Sequence, residues 1–386
     1  QLGVWCNNPG AGAPATFIYR SLDGRTILKR QKVKDLPRPG EPIRPEAKRV
    51  TFNDLIDPTG PILRTAMSDM LDRVVITDNF VTRREEQLDQ LCNLLLLKLE
   101  SDKEAKASKA SPVFFRPLEC ANKTAEAIRK RYASFVELYP EVFTTDQDKK
   151  LRFGNETIAA VVDELSGLRF IDVGVSTVSM AFQVLRAEAL KQGEGQFFTP
   201  QAVIDAGIRL MEIKYEDIII DPACGTGGFL VQAIFEMKRL NPGISDYELS
   251  RWAQTHIYGI EKDAIGVKLA KAVMQIAGDG SAHIVRGDAV RTHKWQADFP
   301  HLANGKFKPG RFSVVVTNPP FGKKLRVSAT DARLSGLDIA KAGGEDYCNI
   351  EIGLTFLDRS HQLLKQGGRL GIVLPEPYFF SANYSY

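Results

Sequence analysis

An amide side chain, two prolines and an aromatic ring follow one another at Asn318-Pro319-Pro320-Phe321, directly after the apolar run Phe312 to Val316. Proline cannot continue a central strand, so the chain must turn there. The turn places the Asn318 amide oxygen, the Pro319 carbonyl and the Phe321 ring at the end of a predicted strand. Two such oxygens can accept hydrogen bonds from an exocyclic amine, and the ring can stack on a planar base. Asn-Pro-Pro alone is common in turns, so this interpretation depends on the other motifs.

A glycine-rich turn, Asp221-Pro222-Ala223-Cys224-Gly225-Thr226-Gly227-Gly228, lies between a predicted strand, Ile218 to Ile220, and a predicted helix, Phe229 to Leu240. The first strand-to-helix turn of a doubly wound fold is where its ligand binds. Glycines let the backbone approach the ligand closely, and the helix N-terminus offers N–H groups. The alternative is a tight turn without a ligand, and the strand-turn-helix context favours binding.

An acidic residue, Glu261, closes the second predicted strand, Ile257 to Ile260. A dinucleotide-binding fingerprint would place its acidic residue about 20 positions after a GxGxxG turn. Here the separation from Asp221 is 40 residues, which disfavours a nicotinamide-dependent dehydrogenase. Glu261 still has the right place to accept hydrogen bonds from ribose hydroxyls. The alternative is a surface glutamate at a strand end.

Strands alternate with helices throughout residues 195–386. The further predicted strands are His283 to Val285, Phe312 to Val316 and Leu370 to Leu374, and the further predicted helices are Ala264 to Ala277 and Phe356 to Leu364. This alternation predicts an α/β fold with a doubly wound, Rossmann-like parallel sheet. The polar, glycine-containing stretch 323–346 is predicted to be a mobile loop.

Two segments precede the sheet. Residues 51–194 form a predicted α-helical domain, with helices at Asn122 to Val142, Asn155 to Leu165 and Ser176 to Leu190. Residues 1–50 are rich in glycine, proline and basic residues, and a hairpin turn is predicted around Asp23-Gly24. The predicted domains are therefore 1–50, 51–194 and 195–386.

The composition, 44% hydrophobic and 25% charged, is that of a soluble globular protein and argues against disorder, collagen and a coiled-coil rod. A formal net charge of +4 neither indicates nor excludes a nucleic-acid partner. The five cysteines contain no CxxC pair and the five histidines show no metal-ligand spacing, so no metal site is predicted. The cysteine usage is typical of a reducing cytoplasm, and no apolar run is long enough to span a membrane.

Taken in order, the motifs resemble those of amino-methyltransferases that act on adenine N6 in DNA. The resemblance is closest to the modification subunit of bacterial type I restriction systems and covers about residues 120–386. It rests on five segments: Gly195 to Pro200, Asp221 to Phe229, Ile260 to Asp263, Gly287 to Ala289 and Asn318 to Phe321. It implies a class I methyltransferase fold, S-adenosylmethionine as methyl donor, and site-specific adenine methylation of double-stranded DNA within a restriction-modification system.

The resemblance also implies roles for individual residues. The methionine end of the cofactor would be lined by Gln196, Phe197, Phe198, Thr199, Pro200 and Gln201. Its amino-acid part would contact Asp221, Ala223, Cys224, Gly225, Thr226, Gly227 and Gly228. Glu261 would hold the ribose and Asp288 the adenine amine. Catalysis would fall to Asn318, Pro319, Pro320 and Phe321.

The implied reaction is direct methyl transfer, which needs no covalent nucleophile, so Cys224 is expected to pack beside the turn. The target adenine would be flipped out of the duplex and stacked on Phe321. The basic residues Lys323, Lys324 and Arg326 could contact DNA phosphates; the alternative is a solvated charge cluster.

The sequence departs from the family pattern in two places. Two further strands are expected after Leu374, and no target-recognition domain is predicted from these residues, so recognition is expected from a separate specificity subunit or a C-terminal domain. The first 50 residues weakly resemble the end of the nuclease-like domain of type I restriction subunits. No nuclease activity is expected of this chain.

Two other functions stay open from the residues alone. Methyltransferases for ribosomal RNA or for protein glutamine could use an Asn-Pro-Pro-aromatic motif. A non-catalytic DNA-binding paralogue is the second alternative, and the presence of Asn318 and Glu261 argues against it.

Overall fold

The computed structural model describes residues 2–5, 15–20, 27–33, 50–57, 66–67, 69–108, 112–139, 142–143, 146, 148–171, 199–277, 283–341, 344 and 346–380. The chain forms two compact units, Gln1–Arg49 and Val50–Tyr386. The predicted boundary at residue 194 falls outside the described residues, as do the predicted helix Ser176 to Leu190 and the residues Gln196, Phe197 and Phe198.

The first unit contains an antiparallel sheet in the order β1-β2-β3. Its strands are β1 (Leu2–Trp5), β2 (Ala15–Arg20) and β3 (Ile27–Val33). Tyr19 of β2 pairs with Leu28 of β3, so these two strands are antiparallel neighbours; the predicted turn at Asp23-Gly24 lies outside the described residues. The resemblance of this segment to a nuclease-like domain stays a prediction.

Long helices among the described residues of 50–171 are α1 (Arg84–Ala107), α2 (Ala121–Leu138) and α3 (Asn155–Leu165). The last two confirm predicted helices. Helix α2 ends four residues earlier than predicted, because Tyr139 precedes Pro140 and a residue before proline disfavours the helical conformation. Shorter helical turns lie at Phe52–Asp54, Met70–Val74 and Val75–Thr77.

In the described part of the chain, the central sheet of the second unit has five parallel strands in the order β10-β7-β4-β5-β6. They are β4 (Ile219–Asp221), β5 (Ile257–Glu261), β6 (Ile284–Arg286), β7 (Phe312–Thr317) and β10 (Leu364–Ile372). All five predicted strands occur in the predicted order, and four agree with their predicted bounds within one residue; the fifth begins at Leu364, six residues before its predicted start, and ends at Ile372. The sheet is the predicted doubly wound α/β fold, with its order reversing at β4.

Apolar side chains on both faces of this sheet are buried. In β7, Val314 and Val316 belong to one hydrophobic cluster and Val315 to another. In β4, Ile219 and Ile220 divide between the same two clusters. A strand that is buried on both sides has a continuous apolar sequence, which explains why these runs do not alternate with polar residues.

Helices follow the strands along the second unit. They are α4 (Gln201–Leu210), α5 (Gly228–Leu240), α6 (Asp246–His256), α7 (Ala264–Ala277), α8 (Trp295–Asp298), α9 (Ala329–Leu334), α10 (Ile352–Leu363) and α11 (Pro377–Phe380), with helical turns at Thr292–Lys294 and Asp338–Lys341. Four of these described helices, α5, α6, α7 and α10, pack against the central sheet. Among the described helices, none is both long and apolar enough to cross a membrane.

The stretch 323–346, predicted to be a mobile loop, is structured over most of its described length. It contains β8 (Arg326–Val327), which pairs with β9 (Ile350–Glu351), then α9 and the turn Asp338–Lys341. Four apolar side chains anchor it in the core: Val327, Ala332, Leu337 and Ala340. The prediction was wrong because these residues are widely spaced among polar ones and form no recognisable periodic pattern.

A buried ionic cluster joins the helical part to the sheet part. Lys268 of α7 is 5% exposed, and its Nζ lies 2.8 Å from Asp89 Oδ1 of α1 and 2.8 Å from Asp148 Oδ1. The ammonium also lies 5.5 Å from the centre of the Phe143 ring. A buried charge without its partner has a large free-energy cost. The Lys268 ammonium therefore favours the arrangement in which α1, α7 and the segment around Asp148 pack together.

We predict that Lys268→Met destabilises the protein by about 3 kcal/mol, because it keeps the aliphatic packing but leaves two partly buried carboxylates without their cation. Urea unfolding followed by circular dichroism measures the loss. Lys238→Met is the matched control, since the Lys238–Asp246 pair is exposed and contributes less than about 1 kcal/mol. Equal losses in the two variants would contradict the assigned role of Lys268.

Candidate active site at the carboxyl edge of the sheet

The glycine-rich turn connects β4 to α5 through two residues in the left-handed region. Gly225 has φ of 54° and Gly227 has φ of 85°. Side chains other than glycine's are strained there, which explains why the turn needs glycine at both places. The Gly227 N–H donates to the Cys224 carbonyl at 2.8 Å, and α5 begins at the next residue. The turn therefore offers backbone groups and a helix N-terminus to a ligand.

Glu261 holds this turn in place. Its Oε2 accepts from the Gly225 N–H at 2.8 Å, and its Oε1 accepts from the Asp263 N–H at 2.9 Å. The Cys224 N–H donates to the Ile260 carbonyl at 3.0 Å, and the Cys224 side chain is buried. The structure thus brings Glu261 and the turn together, as predicted. Binding of a ribose by Glu261 stays a prediction.

Asp221, at the end of β4, is a buried carboxyl group. Burial raises its pKa to about 7. The Ala223 N–H, which donates to Oδ1 at 3.0 Å, opposes the shift, and the Glu261 carboxylate adds to it. The cause is ordinary desolvation of a charge together with a like charge nearby. Near neutral pH this carboxyl group exchanges a proton inside the candidate cofactor site.

Asn318 follows β7 at the same edge of the sheet, and its orientation is set by Thr199. The Asn318 Nδ2 donates to Thr199 Oγ1 at 2.8 Å, although the two residues are 119 positions apart. Thr199 stands just before α4, whose first residue, Gln201, donates to the Asp205 carboxylate at 2.6 Å. Because Nδ2 is directed at Thr199, the amide oxygen of Asn318 points away from Thr199.

Gly353 and Tyr378 lie beside Phe321, and neither was predicted from the sequence. A Cβ atom on Gly353 would lie 2.9 Å from Tyr378 Oη and 3.3 Å from Phe321 Cβ, so both side chains flank this glycine. The Tyr378 hydroxyl donates to Glu351 Oε2 at 2.8 Å. Tyr378 lies in α11, six residues after β10 ends at Ile372, so its position gives no signal like that of Asn318, which follows β7 directly.

Asp288 lies past the end of β6 among cationic partners. Its Oδ2 is 3.0 Å from Arg291 Nη1 and 3.4 Å from Lys262 Nζ. Its Oδ1 accepts from the N–H groups of Val290 and Arg291, both at 3.1 Å. Burial acts to raise the pKa of Asp288, but Lys262 and the contacts to Arg291 outweigh it and hold the pKa below its usual range. Asp288 is therefore an anionic acceptor, and Arg291 is a neighbour that sequence reasoning missed.

The predicted DNA-contacting residues Lys323, Lys324 and Arg326 are all exposed. Arg326 donates to the Asn349 carbonyl at 2.6 Å. Their contact with phosphates stays a prediction. Within the described part of the chain, no group of three His, Cys, Asp or Glu side chains could hold a metal ion.

The proton on Asp221 makes a testable contribution to stability. Its pKa is raised from 3.8 to about 7 in the folded protein, so its contribution is fully present below pH 4 and is lost as the pH rises toward 7. Asp221→Asn has no proton to lose at this position, so this part of the decrease in stability with pH is absent from the variant. We predict that the unfolding free energy of the variant, relative to the unsubstituted protein, rises by at most about 1.4 kcal/mol per pH unit between pH 4 and 7 and then levels off. Urea unfolding at pH 5, 6, 7 and 8 checks this, and a difference that is independent of pH would contradict it.

Known proteins resemble this chain in sequence. The methylase subunit of the type I restriction enzyme EcoKI from Escherichia coli K12 is 26% identical over 203 residues, which cover 51% of this chain and 34% of that subunit. The type II methyltransferase M.VspI from Vibrio sp. strain 343 is 26% identical over 219 residues, covering 56% of this chain and 46% of the relative. The alignments thus span between a third and a half of these relatives.

Two solved structures share the fold. A modification subunit assigned to a type I restriction enzyme of Vibrio vulnificus YJ016 has a TM-score of 0.55 at 20% identity, covering 85% of this chain and 74% of that one. A chain from a type I restriction-modification system has a TM-score of 0.51 at 22% identity, covering 82% and 64%. The sequence model of the N-6 DNA Methylase family matches residues 183–385, more than half of the chain. The chain therefore belongs to the N-6 DNA Methylase family.

Proposed function

We propose that this protein transfers a methyl group from S-adenosylmethionine to N6 of adenine in double-stranded DNA, as part of a restriction-modification system. Membership of the N-6 DNA Methylase family supports the reaction class. The names of the relatives, which are methylase subunits of type I restriction enzymes and a type II methyltransferase, support the biological setting. A cytoplasmic location goes with this proposal.

The observation that carries the proposal is the Asn318–Thr199 hydrogen bond of 2.8 Å. It directs the amide oxygen of Asn318 away from Thr199, so that this oxygen and the Pro319 carbonyl can accept from the two N–H groups of an exocyclic amine. Such bonds draw the amine's lone pair out of conjugation with the ring and make it available for attack. They also become stronger as positive charge develops on the nitrogen, which is the condition for stabilising a transition state.

The residues at the sheet edge fit S-adenosylmethionine. Glu261 and Asp288 are carboxylates suited to ribose hydroxyls and to an adenine amine, and the turn at Gly225 and Gly227 gives room for close approach of the backbone. The N-terminus of α5 favours the carboxylate of the methionine part. When bound, the cofactor supplies a methyl group on a sulfonium, which is already an activated leaving group. The protein then has to orient donor and acceptor and exclude competing water.

No nucleophilic side chain is required by this chemistry, and the burial of Cys224 agrees with a packing role. The target base would leave the duplex, because N6 is engaged in pairing within it. Phe321, next to the acceptor oxygens and half-buried, would then stack on the extruded base. Exposed Lys323, Lys324 and Arg326 lie just beyond Phe321, where a phosphate backbone could reach them.

Recognition of a DNA sequence needs surfaces that read base edges in the duplex. We propose that a separate specificity subunit or a C-terminal target-recognition domain supplies them. The names of the relatives, which are subunits of type I restriction enzymes, support an arrangement with further subunits. This division of labour agrees with the modest net charge of +4, because a partner would share the contacts to the phosphates.

We predict that Asn318→Ala lowers the methylation rate by about 100-fold or more, because an acceptor that acts in the transition state is removed. Binding of S-adenosylmethionine, measured by calorimetry, should change less than threefold. Transfer of tritiated methyl groups to duplex DNA, RNA and protein is measured in parallel with the unsubstituted protein. Undiminished methylation by the variant, or transfer to RNA or protein alone, would contradict the proposal.

A second prediction concerns the orientation of Asn318. Thr199→Val removes the acceptor for Nδ2 at nearly constant volume, and we expect a fall of about tenfold in methylation rate, the effect of one lost hydrogen bond. Thr199→Ser keeps the hydroxyl and should retain most of the activity. If both variants behaved alike, Thr199 would not position the amide.

A further inference from the structure

Arg291 lies between two carboxylates that belong to different parts of the site. Its Nη1 donates to Asp288 Oδ2 at 3.0 Å, and its Nε donates to Asp331 Oδ2 at 2.9 Å. The Arg291 side chain is 19% exposed, so water screens these contacts only in part. A guanidinium has donors on two edges in a fixed fork, which lets one side chain bridge two anions in a defined geometry.

One of these carboxylates, Asp288, is the proposed acceptor for the cofactor's adenine amine. The other, Asp331, belongs to α9, whose N-cap Ser328 accepts from the Asp331 N–H at 3.1 Å. Helix α9 lies in the segment that follows the Asn318 to Phe321 motif, and its Ala332 is buried in the core. Arg291 therefore connects the adenine end of the cofactor site to the segment beyond the acceptor motif.

Two further side chains make this connection stiff. His293 lies 2.8 Å from Ser335 Oγ through Nδ1 and 3.3 Å from Asp331 Oδ1 through Nε2. Arg359 of α10 donates to the Ser335 carbonyl at 2.7 Å and to Thr292 Oγ1 at 3.3 Å. A displacement at Asp288 can therefore reach α9 through groups that are packed and hydrogen-bonded, rather than through a flexible linker.

The partners of Asp288 differ in how readily they can leave. A carboxylate has about four acceptor positions. Here two are filled by the backbone N–H groups of Val290 and Arg291, one by Arg291 Nη1 at 3.0 Å and one by Lys262 Nζ at 3.4 Å. Lys262 has the longest contact, and its side chain is 70% exposed, so water can replace its partner at little cost. An arriving amine would displace Lys262 and leave Arg291 in place.

We propose that Arg291 is a positioning residue that couples occupation of Asp288 by the cofactor to the order of the segment 328–341. This inference rests on the proposed use of S-adenosylmethionine. Replacing the charge of Lys262 with a neutral amine leaves the Asp288 carboxylate to interact more strongly with Arg291, which then holds Asp331 and α9 more firmly. The cofactor thereby prepares the segment next to the acceptor motif before the base enters. By linkage, order in this segment strengthens cofactor binding by the same factor.

Hydrogen exchange with and without S-adenosylmethionine tests this coupling on the full chain, with calorimetry on the same samples. In the unsubstituted protein we expect the cofactor to slow exchange at least threefold in both 221–228 and 328–341. In Asp331→Asn, which keeps the side-chain shape and leaves Asp288 intact, the cofactor should still slow exchange in 221–228 but no longer in 328–341. The affinity of this variant for S-adenosylmethionine should be about threefold lower than that of the unsubstituted protein.

Asp338→Asn is the matched control, because Asp338 lies in the same segment and its ion pair with Lys341 is exposed. It should respond to the cofactor like the unsubstituted protein. Arg291→Lys is the second test variant, for use if Asp331→Asn folds poorly. It keeps the positive charge but loses the two-edged guanidinium, and the same loss of protection in 328–341 is expected. Cofactor-dependent protection of 328–341 in both Asp331→Asn and Arg291→Lys would overturn the coupling. The coupling would also be overturned if the unsubstituted protein bound the cofactor but showed no protection of 328–341. Failure of the unsubstituted protein to bind S-adenosylmethionine would instead overturn the proposed function.

Discussion

The order of the five parallel strands is the constraint on which the rest of the site depends. Strand β4 pairs with β5 on one side, through Ile219 and Ile257, and with β7 on the other, through Ile219 and Val314. The glycine-rich turn leaves β4, Glu261 ends β5 and Asn318 follows β7, so three pieces of chemistry far apart in sequence end at one edge within two strand spacings. A crevice at such a reversal of strand order is where open α/β sheets bind ligands.

The cofactor turn is held before any ligand arrives, and this has a cost for binding. Both carboxylate oxygens of Glu261 already accept backbone N–H groups, at 2.8 and 2.9 Å. A ribose would have to share these oxygens, each of which carries two lone pairs. The benefit is that the turn does not have to be ordered on binding, since preorganisation lowers the entropic cost. Asn318 is preorganised in the same way, because Thr199 sets the orientation of its amide before substrate binds.

Much of the fold, and the placement of the glycine-rich turn and of Asn318 at strand ends, could be predicted because the signals were local. A strand such as Phe312–Thr317 is a continuous apolar run, and glycines between a strand and a helix mark a turn wherever they occur. The contacts that orient the site are not local. Thr199 meets Asn318, Arg291 meets Asp331 and Lys268 meets Asp89 only after the chain folds, and no spacing rule links such pairs. The segment 323–346 was misjudged for a related reason, because four widely spaced apolar residues anchor it.

The central claim is that the oxygens at Asn318 and Pro319 accept an adenine amine while the turn after β4 presents the methyl donor. Mass spectrometry of nucleosides tests it most directly, using DNA from cells that carry the gene and from cells in which it is deleted. The account predicts N6-methyladenine that disappears with the gene and does not return with the Asn318→Ala variant. Methylated cytosine in place of N6-methyladenine, or N6-methyladenine that persists in the deletion strain at the same level, would contradict it.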